Sequence, residues 1–297
     1  MGNRQGYPHS LKDLRMPDIP YKNLYIYYLK GHLKPGDEIF ASDFIGNWEE
    51  DDFSFLFFSR PSDRGIKELL NIQPHLTLLD NFEMTYEQWH GKAIDSFRAG
   101  RFFIIPPWQI SSETNSLSND PSDDELRIIL DPGVVFGTGM HTTTHDCLGA
   151  LELLYDEEKP GSVLDLGTGT GLLALSAARL GSANVLAVDF NFLSARTTHK
   201  NILLNRLEDR ILAVQGLAED FIDIPVDLVI ANIHYDVMKK LIISEGFLRK
   251  KWFILSGLLR SEARELADKL SERKRIKILK KWEYDGIWHT FGGKIIL

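Results

Sequence analysis

The sequence predicts an α/β protein whose larger part is a doubly wound, seven-stranded sheet and whose smaller N-terminal part is a second α/β unit. Three observations carry this expectation. Short apolar runs alternate with amphipathic stretches from Val163 to Arg273, as they do where crossover helices link parallel strands. The first of those runs, Val163-Leu164-Asp165-Leu166, breaks into Gly167-Thr168-Gly169-Thr170-Gly171 and opens a helix that stops at Gly181. Two consecutive strand-like runs, Ile276 to Trp282 and Trp288 to Ile296, then close the pattern and supply one antiparallel strand.

Composition narrows the function classes. The 297 residues are 43% hydrophobic and 26% charged, the balance of an ordinary globular protein able to bury a full core. A net charge of -8 argues against a broad nucleic-acid surface, leaves a local basic groove open, and suits a basic protein substrate. Mild acidity is also common in cytosolic enzymes. Cys147 is the sole cysteine, so no internal disulfide forms and a reducing compartment fits. With no apolar run of membrane-spanning length, the expected location is the cytoplasm.

The chain divides into an extension (1–20), an N-terminal substrate-recognition unit (21–95), a linker with a hairpin loop (96–125) and a large domain (126–297). In the N-terminal unit, Leu24 to Leu29, Phe53 to Phe58 and Leu76 to Leu79 read as strands, and Gly65 to Leu70 as a helix. Met84 to Phe97 reads as a helix and Arg101 to Ile105 as a strand ended by proline. The polar stretch Ser111 to Asp124 is expected to join that strand to Leu126–Leu130 as a hairpin. In the large domain, strands are expected at 163–166, 184–188, 211–214, 227–231 and 252–255, with helices at 192–205, 235–247 and 260–273.

The glycine run lets backbone amides approach a ligand at the carboxyl end of the sheet. Asp189, ending the second strand at nearly the fingerprint distance, is placed to accept hydrogen bonds from ribose hydroxyls. A dinucleotide fingerprint would put its third glycine at position 172, which is Leu172; here it is Gly171. The pattern Asp165-x-Gly167-x-Gly169-x-Gly171 instead resembles the first motif of class I S-adenosylmethionine-dependent methyltransferases. That resemblance implies S-adenosyl-L-methionine as cofactor, with Asp165 near its amino-acid end.

Asp131-Pro132-Gly133-Val134-Val135-Phe136-Gly137-Thr138-Gly139-Met140-His141-Thr142-Thr143-Thr144 resembles the signature of the methyltransferases that modify large-subunit ribosomal protein eleven, with Thr142 where that family usually has proline. Physically it reads as a glycine-hinged flap over the cofactor. By resemblance Thr144 supplies a cofactor-contacting hydroxyl and Phe136 a wall. Asn232, in Ala231-Asn232-Ile233-His234-Tyr235, matches the position where amine methyltransferases accept hydrogen bonds from the target nitrogen, and is assigned to both cofactor site and catalysis. The alternative is that Asn232 caps the next helix. Tyr235 packs either on the substrate or in the core. Leu255-Ser256-Gly257-Leu258-Leu259 and the segment from Met84 to Trp108 also resemble the family, strongly after residue 126 and only faintly before 84. Glu219 and Asp220 are either adenine contacts or a solvated turn. His141 and His145, four apart, are read as structural or substrate-facing rather than as metal ligands, since no HExxH pattern surrounds them.

The resemblance implies transfer of methyl groups to lysine ε-amino or N-terminal α-amino groups of a ribosomal protein. Two alternatives stay open: a methyltransferase with another amine target, and a cofactor-binding scaffold without catalysis.

Overall fold

The computed structural model describes residues 19–34, 42–110 and 125–296. Most of the expected extension and the whole polar stretch 111–124 lie outside the described residues.

The N-terminal sheet contains β1 (Asn23–Lys30), β2 (Phe44–Glu50), β3 (Phe53–Phe58) and β4 (Thr77–Thr85), in the order β2-β3-β1-β4 with antiparallel neighbours. α1 (Asp63–Ile72) covers one face. Alternation along β1 explains why both faces are apolar. Tyr27 and Leu29 pack with Leu56, Phe58, Ile66 and Leu69, whereas Leu24 and Ile26 pack with Ile45, Phe57 and, from the large domain, Val134, Val135 and Leu193.

Two expectations are corrected next. The expected helix over Met84–Phe97 shrinks to α2 (Tyr86–His90). Met84 still pairs with Leu24 in the sheet, Thr85 and Gln88 form a capping box, and left-handed Gly91 ends the helix. The expected hairpin across 111–124 is absent, because β6 (Phe102–Ile105) pairs with β7 (Leu126–Ile129) in parallel. Parallel neighbours need a crossover and cannot share a tight turn. The hairpin lies earlier, between β5 (Phe97–Ala99) and β6, at Gly100 with φ +56°.

α3 (Thr142–Glu157) precedes the main sheet and was not anticipated, although Leu148, Leu151 and Leu154 repeat at helical spacing and are buried. The sheet then builds from β8 (Ser162–Leu166), α4 (Leu172–Leu180), β9 (Asn184–Asp189), α5 (Phe192–Asn205), β10 (Ile211–Gln215), α6 (Ala218–Phe221) and β11 (Leu228–Asn232). It continues with α7 (Tyr235–Leu241), α8 (Glu245–Leu248), β12 (Trp252–Leu259), α9 (Arg260–Ser271), β13 (Ile276–Tyr284) and β14 (Trp288–Ile295). Strand order is β10-β9-β8-β11-β12-β14-β13, with β14 antiparallel to both neighbours. The seven-stranded doubly wound architecture expected from the sequence is therefore present.

Successive residues of each central strand feed opposite cores: Val163, Ile230 and Ile254 pack under α3 and α4, while Leu164, Val229 and Phe253 pack under α7 and α9. Phe253 is fully buried, and a Cβ on Gly293 of the neighbouring strand would lie 2.3 Å from its ring. Phe253→Ala is expected to destabilise the fold by about 3–5 kcal/mol. Urea unfolding checks this, and a midpoint within error of wild type would contradict it.

Candidate active site

β8 lies between β9 and β11, so the sheet reverses its strand order at the carboxyl end of β8, where crevices for ligands open. The glycine loop occupies that position. Gly167, Gly169 and Gly171 have φ of +71°, +57° and +85°, which L side chains avoid. There is also no room: a Cβ on Gly167 would meet Ile233 at 2.2 Å, and one on Gly169 would meet the Phe136 carbonyl oxygen at 2.9 Å.

Two carboxylates fix the loop. Asp189, 6% exposed, accepts from the Gly169 amide on Oδ2 at 3.0 Å and from the Asn191 amide on Oδ1 at 2.9 Å. Burial pushes its pKa up, and the two amides oppose that shift. A carboxylate has about four acceptor sites, so each oxygen keeps capacity for a hydroxyl donor. Asp165 is fully buried and accepts from the Thr168 hydroxyl at 2.7 Å. Desolvation pushes it up to about 6, against the Thr168 and Ala174 hydrogen bonds.

That shift has a consequence for stability. Between the ordinary value of 3.8 and about 6, the folded protein keeps a proton that the unfolded chain has lost. The stabilisation from this group is full below the lower value and is lost as pH rises through the upper one. Unfolding of wild type and Asp165→Asn is expected to show wild type losing stability relative to the variant across this window. Parallel pH courses would contradict the assignment.

The signature segment closes over the loop. Thr170 Oγ1 donates to the Gly137 carbonyl at 2.7 Å, and Asn201 of α5 donates from Nδ2 to the carbonyls of Asp131 and Thr170 at 2.9 and 2.8 Å. Lys200 holds the Asp131 carboxylate at 2.6 Å. The sequence reading missed Thr170, Lys200 and Asn201. They carried no trace in the sequence, since Asn201 follows the polar run Arg196–Lys200 and only the fold shows it completely buried. Phe136 projects outward, 69% exposed, with Trp48 of β2 5.5 Å away.

Asn232 ends β11, next to the strand that carries the loop, and its neighbour Ile233 packs on Gly167. It does not cap α7, whose N-cap is His234. Its Oδ1 faces Gly257, which has φ +82° and where a Cβ would lie 3.0 Å away. Its Nδ2 lies 3.5 Å from the hydroxyl of Thr143, which sits 2.8 Å from His141 Nδ1. The threonine beside Asn232 is thus Thr143; Thr144 is buried in the same first turn of α3.

The remaining candidates turn elsewhere. Tyr235 is buried, with Lys239 and Lys269 each 5.9 Å from its ring, so it faces α9. His141 caps α3 and lies edge-on to Trp288, whereas His145 stacks on Phe97 at 5.3 Å. Burial lowers the pKa of His145. Among the described residues no three His, Cys, Asp or Glu side chains are grouped as metal ligands. Glu219 pairs with Lys240 at 3.5 Å.

A sheet of this order, with a glycine loop ending its first strand and an acid ending its second, defines a class I methyltransferase fold. The chain belongs to the family described as Ribosomal protein L11 methyltransferase (PrmA), which matches residues 66–294. A Ribosomal protein L11 methyltransferase of Desulfitobacterium hafniense is 34% identical over 235 residues, 76% of this chain and 71% of that one. One from Listeria monocytogenes is 36% identical over 194 residues, 63% of this chain and 57% of the relative, so that match spans little more than half of the relative's length. The crystal structure of a ribosomal protein L11 methylase from Lactobacillus delbrueckii subsp. bulgaricus matches with a TM-score of 0.55 and 26% identity, over 68% of this chain and all of that one.

Proposed function

We propose that the protein transfers methyl groups from S-adenosyl-L-methionine to amines of a ribosomal protein, with ribosomal protein L11 as the substrate suggested by the names of its relatives. The target amines are lysine ε-amino or N-terminal α-amino groups. The observation that carries the reading is the closed glycine loop with Asn232 one strand away. The residues present fit the cofactor. Gly167 and Gly169 would let backbone approach it, Asp189 has acceptor capacity left for ribose hydroxyls, Asp165 would stand behind the loop towards its amino-acid end, and Thr144, in the first turn of α3 directly after the flap, would contribute its hydroxyl.

When bound, the cofactor supplies a methyl group activated by sulfonium. The protein's task is alignment. Asn232 accepts hydrogen bonds from the incoming nitrogen through its carbonyl and points the lone pair at the methyl. An amine with a pKa of about 10.4 must lose its proton first, and a dry pocket favours the neutral form. Among the described residues no helix is long and apolar enough to cross a membrane.

A second reading has its own support: the family match begins at residue 66, leaving β1, β2 and β3 outside it. The catalytic domain would then serve a different amine. Transfer of labelled methyl into an undermethylated lysate separates the readings. Label on amines of one small basic ribosomal protein supports the first, label in another fraction supports the second, and no label with intact cofactor binding would leave a scaffold.

A further inference from the structure

The flap is held from two sides, and only one belongs to the large domain. On the other, the indole Nε1 of Trp89 donates to the Val134 carbonyl at 3.1 Å, and His90 Nε2 meets the Gly133 carbonyl at 3.0 Å. A carbonyl only accepts, so Nε2 carries the proton there. Both residues lie on α2, which follows β4 of the N-terminal sheet directly and is closed at each end by its caps. The indole also packs on Phe57 of β3, with ring centroids 5.0 Å apart, and lies 6.4 Å from Phe136 of the flap. Gly133, whose carbonyl His90 takes, has φ +55° and donates its own amide to Asp131. Two successive flap carbonyls therefore take their side-chain donors from the N-terminal unit.

We propose that Trp89 and His90 are positioning residues for the flap, so that the N-terminal unit completes the cofactor site without touching the cofactor. The inference rests on the reading that the flap covers S-adenosyl-L-methionine. A flap that spends less time in its closed arrangement lowers apparent affinity by the closed fraction. The coupling is also reciprocal: a partner that steadies α2 tightens the cofactor, and the cofactor tightens that partner by the same factor.

The test is calorimetric titration with S-adenosylhomocysteine of wild type, Trp89→Phe, His90→Leu and His90→Gln, the last retaining an N–H donor. Losing one such donor is expected to weaken binding about fivefold in Trp89→Phe and His90→Leu, with His90→Gln close to wild type. Unchanged affinity in the first two, or a glutamine variant as weak as the leucine one, overturns the proposal. A second readout needs no ligand. Hydrogen exchange of the Val135 amide, which bonds to the Pro132 carbonyl at 3.2 Å, is expected to accelerate in Trp89→Phe while amides of β8 stay protected. An unchanged Val135 amide overturns it. Failure of wild type to bind would instead strike the cofactor reading, with the exchange experiment still deciding whether α2 holds the flap.

Discussion

Asp189→Ala is expected to weaken binding of S-adenosylhomocysteine about a hundredfold or more, the largest effect of any single change at the cofactor site. With Asp189 as the proposed ribose acceptor, two charge-assisted hydrogen bonds to ribose hydroxyls, worth roughly 1.5–3 kcal/mol each, would be lost. The same carboxylate holds the Gly169 and Asn191 amides, so the alanine variant also releases the loop. Asp189→Asn keeps one carbonyl acceptor and is expected to fall between the two. Calorimetric titration checks the order; equal affinity in wild type and the alanine variant would remove Asp189 from the site.

Asn232→Ala is expected to lower kcat about a hundredfold while leaving cofactor affinity and the KM for the protein substrate nearly unchanged. Losing alignment of a reacting nitrogen costs about that much, because a misplacement of 1 Å suffices. The side chain sits at a strand end with its Oδ1 against Gly257, so its removal leaves a small gap rather than an unpaired buried charge. Steady-state kinetics with an unmethylated substrate separates the effects. A raised KM at unchanged kcat would make Asn232 a binding residue only.

The sheet was legible because strands buried on both faces read as apolar runs, as Val229–Ala231 does and as Val163–Leu166 does with only Asp165 interrupting it, and because Gly181 stops a helix where expected. Gly167, Gly169 and Asp189 were legible by spacing from strand ends, and Asp165, Thr144 and Asn232 by the family resemblance; the structure brings Asp165, Gly167, Gly169 and Asp189 together at one loop. Three kinds of feature were not. β2 carries Gly46 and Asn47, poor strand residues, and is held by contacts distant in sequence, such as Gly46 against Leu193. α3 opens on Thr142-Thr143-Thr144, a weak helical start that its His141 cap and the core packing override. The pairing of β6 with β7 depends on which way a connection runs, and local composition carries no record of direction.

The place of β14 between β12 and β13 has a meaning for biosynthesis. β13 leaves the ribosome first, yet its neighbour in the sheet is a strand translated after it. Until β14 arrives, Ser256 of β12 lacks its Thr290 partner, and the strand beside Asn232 remains an open edge. Such an edge is a template for mispairing between nascent chains. The order of manufacture therefore differs from the order of assembly, and the wall beside Asn232 is sealed only when the last of these strands is inserted.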